Sequence, residues 1–305
     1  MALEGDLLVD RQHLKRRLNF WRVVSVVLLG AALTLFFALY VPASLTLPHV
    51  ARLRIEGLIV EDPDLLARID AAATDPSVKA LIVEIDSPGG TVAGGEMLHV
   101  ALARVAAQKP VVAVMQSIAA SAGYMIALPA ARIFCAPATL TGSIGVLLET
   151  GNVERLLDKL GVQAESIVSG PLKDQPSLTR PLSAEGRAVL QGLVMDMYEQ
   201  FVAMVAEGRH MPIDKVKSLA DGRAYTGRQA LALGLVDEFG DERRAREWLA
   251  EAKEVGKDLP VEDLQKKSLI ATLLASSAAP LLPAYAKYLI FKDISLDGAW
   301  AIWHP

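Results

Sequence analysis

The sequence holds a single cysteine, Cys135, so no internal disulfide can form and the fold must stand on its own core. It also lacks an HExxH run, a spaced set of cysteines and histidines, and a phosphate-cradling glycine loop that ends in lysine. Those absences remove the common zinc and nucleotide signatures, and neither metal nor cofactor is expected. The formal net charge is -4, which gives no electrostatic footprint for nucleic acid. Five histidines are present (His13, His49, His99, His210 and His304), and none sits in a motif that connects it to a serine. A Ser-His-Asp triad is therefore unsupported. What the chain has in excess is apolar residues, 52% against 22% charged, with much of the surplus near the two ends.

Residues 23–41 read VVSVVLLGAALTLFFALYV, without one charge. A helix of that length rises about 28 Å, close to the hydrocarbon thickness of a bilayer. Arg11, Lys15, Arg16, Arg17 and Arg22 precede the run, whereas only Arg52 and Arg54 follow closely. That bias predicts a cytoplasmic amino terminus, with the bulk of the chain on the other face of the membrane and the apolar run in contact with membrane lipid. A cleaved signal peptide would have a shorter apolar region and a clearer small-residue cleavage site. The expected organisation is a cytoplasmic segment at 1–22, a transmembrane anchor at 23–41, a main domain at 48–252, and an apolar, helical extension at 253–305. Within that extension, 268–289 is interrupted by Pro280 and Pro283 and carries Lys287, so it makes a poor membrane helix.

Between these ends, apolar β-branched runs alternate with helical periodicity. Strands are expected at 50–60, 79–85, 110–115, 132–136, 144–148 and 164–168, and helices at 64–73, 94–107, 119–128, 153–160 and 184–208, with mostly helix from there to 252. Strands alternating with helices imply an α/β fold built on a largely parallel sheet.

Four short runs could carry chemistry. Asp86-Ser87-Pro88-Gly89-Gly90 follows the strand KALIVEI, and its two glycines could turn backbone N–H groups outward as an oxyanion hole. Ser121 stands among small residues in Ser117–Tyr124, where a substrate carbonyl could approach; the residue two before it is Ala119, so it is not a G-x-S-x-G elbow. Lys173, in SGPLKD, is a candidate base, since burial can lower a lysine's pKa enough for it to act neutral. Asp174 beside it would oppose that, so its side chain is expected to point away. Ser143, in TGSIG, could orient the amine.

Taken together, DSPGG, SIAASAGY, TLTGSIGV and SGPLKD, with ADGRAYTGRQALALGLVDEFG further on, resemble the signal peptide peptidase A (protease IV) family over about residues 48–245. The single anchor fits the family's short bacterial form. The resemblance implies Ser121 as nucleophile, Lys173 as general base, Ser143 as the lysine's partner, and Gly89 and Gly90 as oxyanion donors. It implies a stacked β-β-α superhelical fold like those of ClpP and crotonase, behind the amino-terminal transmembrane helix. It implies homo-oligomers with substrate grooves shared between subunits, acting on signal-peptide remnants and other apolar peptides. Ala122 departs from the glycine that many relatives carry after the serine. A crotonase-like enzyme acting on an acyl thioester, or a non-enzymatic membrane scaffold, are the alternatives.

Overall fold

A computed structural model describes residues 17–30, 32, 47–264 and 300–302. The chain divides into two compact units, Met1–Leu47 and Pro48–Pro305. The first contains helical residues at 17–30 and at 32 (α1). Among the described residues no helix is long and apolar enough to cross a membrane. The anchor expected at 23–41 falls largely outside them, as does the 268–289 stretch.

In the second unit the elements run β1 (His49–Ile59), α2 (Pro63–Thr74), β2 (Val78–Thr91), α3 (Val92–Ala106), β3 (Val111–Ala120), α4 (Ala122–Met125), β4 (Arg132–Cys135) and β5 (Leu140–Gly142). Then follow α5 (Glu154–Lys159), α6 (Ala184–Gly208), α7 (Ile213–Leu219), β6 (Ala224–Thr226), α8 (Gly227–Leu233), β7 (Glu238–Phe239), α9 (Glu242–Lys253), β8 (Val261–Asp263) and β9 (Trp300–Ile302). One sheet takes in all these strands, with β6-β5-β3-β2-β1-β8 as its main path. β1, β2, β3, β4 and β5 are parallel where they pair, while β6 and β9 join antiparallel. The fold is thus mixed α/β, and its sheet draws on residues beyond 252.

Alternation along the strands assigns the two faces. Leu81, Val83 and Ile85 of β2 point into the larger core with Leu53, Ile55, Ala113, Met115 and Ile133. Ala80 and Ile82 point the other way, against Val112, Val114, Phe134 and the α9 residues Ala245 and Leu249. A sheet covered on both faces explains why KALIVEI is apolar without a break. Each fully buried aliphatic side chain stabilises the fold by roughly 1.5–3 kcal/mol.

Two expected strands are absent. Residues 144–148 hold only an isolated bridge and 164–168 are irregular; Ile167 is 97% exposed. The helix expected at 119–128 is shortened at its start, because β3 continues through Ala120.

Candidate active site

β3 changes neighbours along its length. Its first half pairs with β4 through Val112–Met115 and its last residues pair with β5 as Ile118↔Leu140, Ala119↔Thr141 and Ala120↔Gly142. Two parallel strands therefore end side by side, and the next residue on each is a serine: Ser121 and Ser143. The Ser121 N–H donates to the Gly142 carbonyl at 2.8 Å, and the Ser143 N–H to the Arg223 carbonyl at 2.9 Å.

Both serines are strained. Ser121 lies at φ 56, ψ -118, and Ser143 at φ 49, in the region that favours glycine. Each costs on the order of 1–3 kcal/mol and persists only where the surroundings enforce it. At Ser121 the chain swings from strand to helix within one residue. The strand-to-helix turn is as sharp as that of a nucleophile elbow, although the G-x-S-x-G sequence is absent. Ala119, Ala120, Ala122 and Gly123 make the turn feasible because the space is tight. A Cβ on Gly123 would lie 2.8 Å from the Ser87 carbonyl oxygen. Tyr124 fixes the helix from behind by donating its hydroxyl to the Leu235 carbonyl at 2.8 Å, and burial raises its phenol well above the usual range.

The approach to Ser121 is braced by side chains. β2 and β3 slip register between Ile85↔Met115 and Ser87↔Ala119, which leaves Gln116–Ile118 bulged out of the ladder. Asp86 Oδ1 accepts from the Ile118 N–H at 3.1 Å, and Thr139 Oγ1 donates to the Gln116 carbonyl at 2.7 Å. Thr141 Oγ1 likewise donates to the Ala119 carbonyl at 2.7 Å. Sequence reasoning gave these three residues no role. Their signal, polar residues at the ends of apolar strands, becomes readable only once the bulge is known.

The Ser121 side chain is fully buried, and its Oγ has no hydrogen-bond partner among the described residues. A buried hydroxyl without a partner costs about 1–3 kcal/mol and calls for an explanation. Gly89 and Gly90 lie on the neighbouring β2. Gly89 has φ 115, and its N–H donates to Ser87 Oγ at 3.1 Å. A Cβ on Gly90 would fall 1.8 Å from the Ile59 carbonyl oxygen, so β1 itself demands glycine there.

Ser121, Ser143 and the Gly89–Gly90 strand are thus gathered at one end of the sheet. Lys173 is not joined to them: it is exposed, in an irregular stretch, and makes no hydrogen bond to Ser121 Oγ. The Asp174 carboxylate forms an ion pair with Arg180.

A profile of peptidase family S49 matches residues 103–256. The chain belongs to peptidase family S49. It is 43% identical over 206 residues to a putative protease of Synechocystis sp., covering 67% of this chain and 74% of that one. It is 40% identical over 176 residues to Protease 4 of Salmonella typhi (57% of this chain, 28% of that one). It is 37% identical over 193 residues to a putative signal peptide peptidase SppA of Enterococcus faecium (63% and 56%). The chain therefore spans only part of the last two. Among solved structures, a ClpP1 mutant from Listeria monocytogenes superposes with a TM-score of 0.42 at 18% identity, covering 63% of this chain and 92% of that one. That likeness is too distant to argue from. As an S49 member the chain is a serine peptidase, and the resemblance drawn from its motifs stands.

Proposed function

We propose that this chain is a membrane-anchored endopeptidase that uses Ser121 as nucleophile and Lys173 as general base. Its substrates would be signal-peptide remnants and other apolar peptides at the outer face of the cytoplasmic membrane. One observation carries the reading: the buried, unpartnered Ser121 hydroxyl on a strained strand-to-helix turn. Strain and an unmet hydrogen bond together mark a group held ready for something else to engage it.

The neutral Lys173 amine takes the Ser121 proton as Oγ bonds to the peptide carbonyl carbon. The oxyanion so formed is held by backbone N–H groups of the Gly89–Gly90 stretch of β2, with Gly89 giving up its contact to Ser87 Oγ. The C–N bond then breaks, and the lysine returns the proton to the leaving amine. Water, deprotonated by the same amine, releases the acyl group from Ser121. The Ser143 hydroxyl orients the amine during both steps.

Lys173 reaches Ser121 through assembly with further copies of the chain. Support for this comes from α6, where Val189 and Leu193 are exposed above half-buried Leu190, Val194 and Met197. This apolar face at helical spacing suits a second copy, which would also cover the irregular lysine loop and dry the amine. The anchor rests on the uncharged run 23–41 and its basic flank.

The test is hydrolysis of an apolar peptide by the full chain in detergent. Ser121→Ala and Lys173→Ala are each expected to lower kcat by at least ~1,000-fold, in the range seen when a nucleophile or its base is removed. Wild-type rates in both variants would overturn the assignment.

A further inference from the structure

No motif connects any of the five histidines to a serine, yet the fold brings one of them to Ser121 by way of the backbone. α3 starts directly after β2, whose Gly89–Gly90 stretch holds the proposed oxyanion donors, and α4 starts directly after Ser121. The two helices lie against each other. A Cβ on Gly95 would fall 3.0 Å from the Ala122 Cβ and 3.1 Å from Met125 Sδ, which leaves little room for any side chain there. His99 comes four residues later on α3, one turn along the same face. Its Nδ1 stands 3.0 Å from the Met125 carbonyl oxygen. A carbonyl can only accept, so Nδ1 carries the proton and donates. The Met125 N–H in turn donates to the Ser121 carbonyl at 2.9 Å. Two hydrogen bonds through a single residue, Met125, therefore join the imidazole to the residue that bears the nucleophile.

The geometry points to His99 as a positioning residue for Ser121: it clamps the carboxyl end of α4 to α3, and so fixes the nucleophile relative to the donors on the strand from which α3 springs. This rests on the peptidase reading above and deepens it. α4 has only four residues, too few for a helix to hold its own end. The Met125 carbonyl also accepts from the Leu128 N–H, but at 3.3 Å, longer than an ordinary backbone bond. Tyr124 ties α4 to the Leu235 carbonyl, which lies after α8 and not on the elements that carry the donors. Among the described residues no other side chain of α3 hydrogen-bonds to α4. The spacing between Ser121 Oγ and the oxyanion donors counts only once the tetrahedral centre spans them. The clamp therefore acts on the transition state and not on the affinity for substrate.

The test compares the full chain in detergent with three variants. His99→Ala removes the donor. His99→Asn keeps an N–H where Nδ1 was, because both nitrogens are bonded to Cγ, whereas His99→Gln carries its amide nitrogen one bond further, near the place of Nε2. His99→Ala and His99→Gln are expected to lower kcat for an apolar peptide about ten-fold with KM little changed, a fraction of the roughly 100-fold that 1 Å of misplacement commonly costs. His99→Asn should restore most of the rate. A merely structural role would lower Tm and leave kcat per folded chain alone. A second readout needs no catalysis: amide hydrogen exchange, followed by mass spectrometry on peptides spanning 121–128. Exchange there is expected to be about ten-fold faster in His99→Ala and His99→Gln, and close to wild type in His99→Asn. Should His99→Ala fail to fold, the contrast between the two amides decides. Wild-type kcat in His99→Ala, a raised KM in place of the lowered kcat, or equal behaviour of His99→Asn and His99→Gln overturns the proposal. If exchange follows the expected order but no chain, wild type included, cleaves any peptide, the clamp stands and the peptidase reading falls.

Discussion

Gly123 shows how little freedom the turn at Ser121 has. Its missing Cβ is what lets α4 rest on the Ser87 carbonyl, 2.8 Å from where that atom would be. Gly123→Val must push α4 away and carry Ser121 with it, and displacements near 1 Å commonly cost about 100-fold in rate. The expected outcome is a folded protein with kcat down by about that factor, checked by circular dichroism and peptide hydrolysis together. Asp86 acts at one remove, by accepting the Ile118 N–H of the bulge. Asp86→Ala strands that donor and is expected to lower stability by about 1–3 kcal/mol in urea unfolding, with kcat falling alongside. Asp86→Asn keeps an acceptor oxygen and should recover most of both.

At the scale of elements, the long ones were legible. The strands at β1, β2 and β3 follow from apolar β-branched runs, and α6 begins and ends where its Ser183 cap and its periodicity place it. The segments at 144–148 and 164–168 have similar composition yet stay irregular, with only an isolated bridge at Leu147. Conversely β5, β6, β7, β8 and β9 have three residues or fewer, and a run that short carries no period. The same reasoning applies to the site. The motifs point to Ser121, Ser143, Gly89 and Gly90, whereas the strained turn, the bulge and its Asp86 brace exist only once β2 and β3 are paired out of step.

One element junction yields a pH prediction. Glu238 on β7 accepts from Arg244 on α9 at 2.6 Å and from Arg132 on β4 at 2.9 Å, and Arg244 first, then Arg132, hold its carboxyl below the usual range. A folded value below the unfolded one stabilises the protein at neutral pH, and the contribution fades as pH falls from about 4.5 through the folded value. Thermal melts should therefore show a drop in Tm on acidification that is smaller in Glu238→Gln, which starts from a lower Tm at pH 7. On α6, Val189→Glu with Leu193→Glu places charge on the exposed apolar face and is expected to shift the proposed assembly to smaller species in sedimentation.

For the whole molecule, the proposed pairing of Lys173 with Ser121 makes assembly and activity the same question, because Lys173 is exposed and makes no hydrogen bond to Ser121 Oγ. If the amine comes from a neighbouring copy, two inactive chains can complement each other. Co-expressed Ser121→Ala and Lys173→Ala chains, assembled at random, should recover about a quarter of wild-type activity, since that fraction of sites pairs an intact serine with an intact lysine across a head-to-tail contact. No recovery would mean that the lysine loop closes onto its own serine.

Cys135 sits at the inner end of β4 with no exposure, and burial pushes its thiol up to about 11. At neutral pH almost none of it is thiolate, the reactive form. The native chain is therefore nearly blank to maleimide dyes and mild oxidants. A cysteine introduced on the surface, for instance on α6, would be its one addressable handle. Distances between labelled copies could then be followed without first removing the native residue.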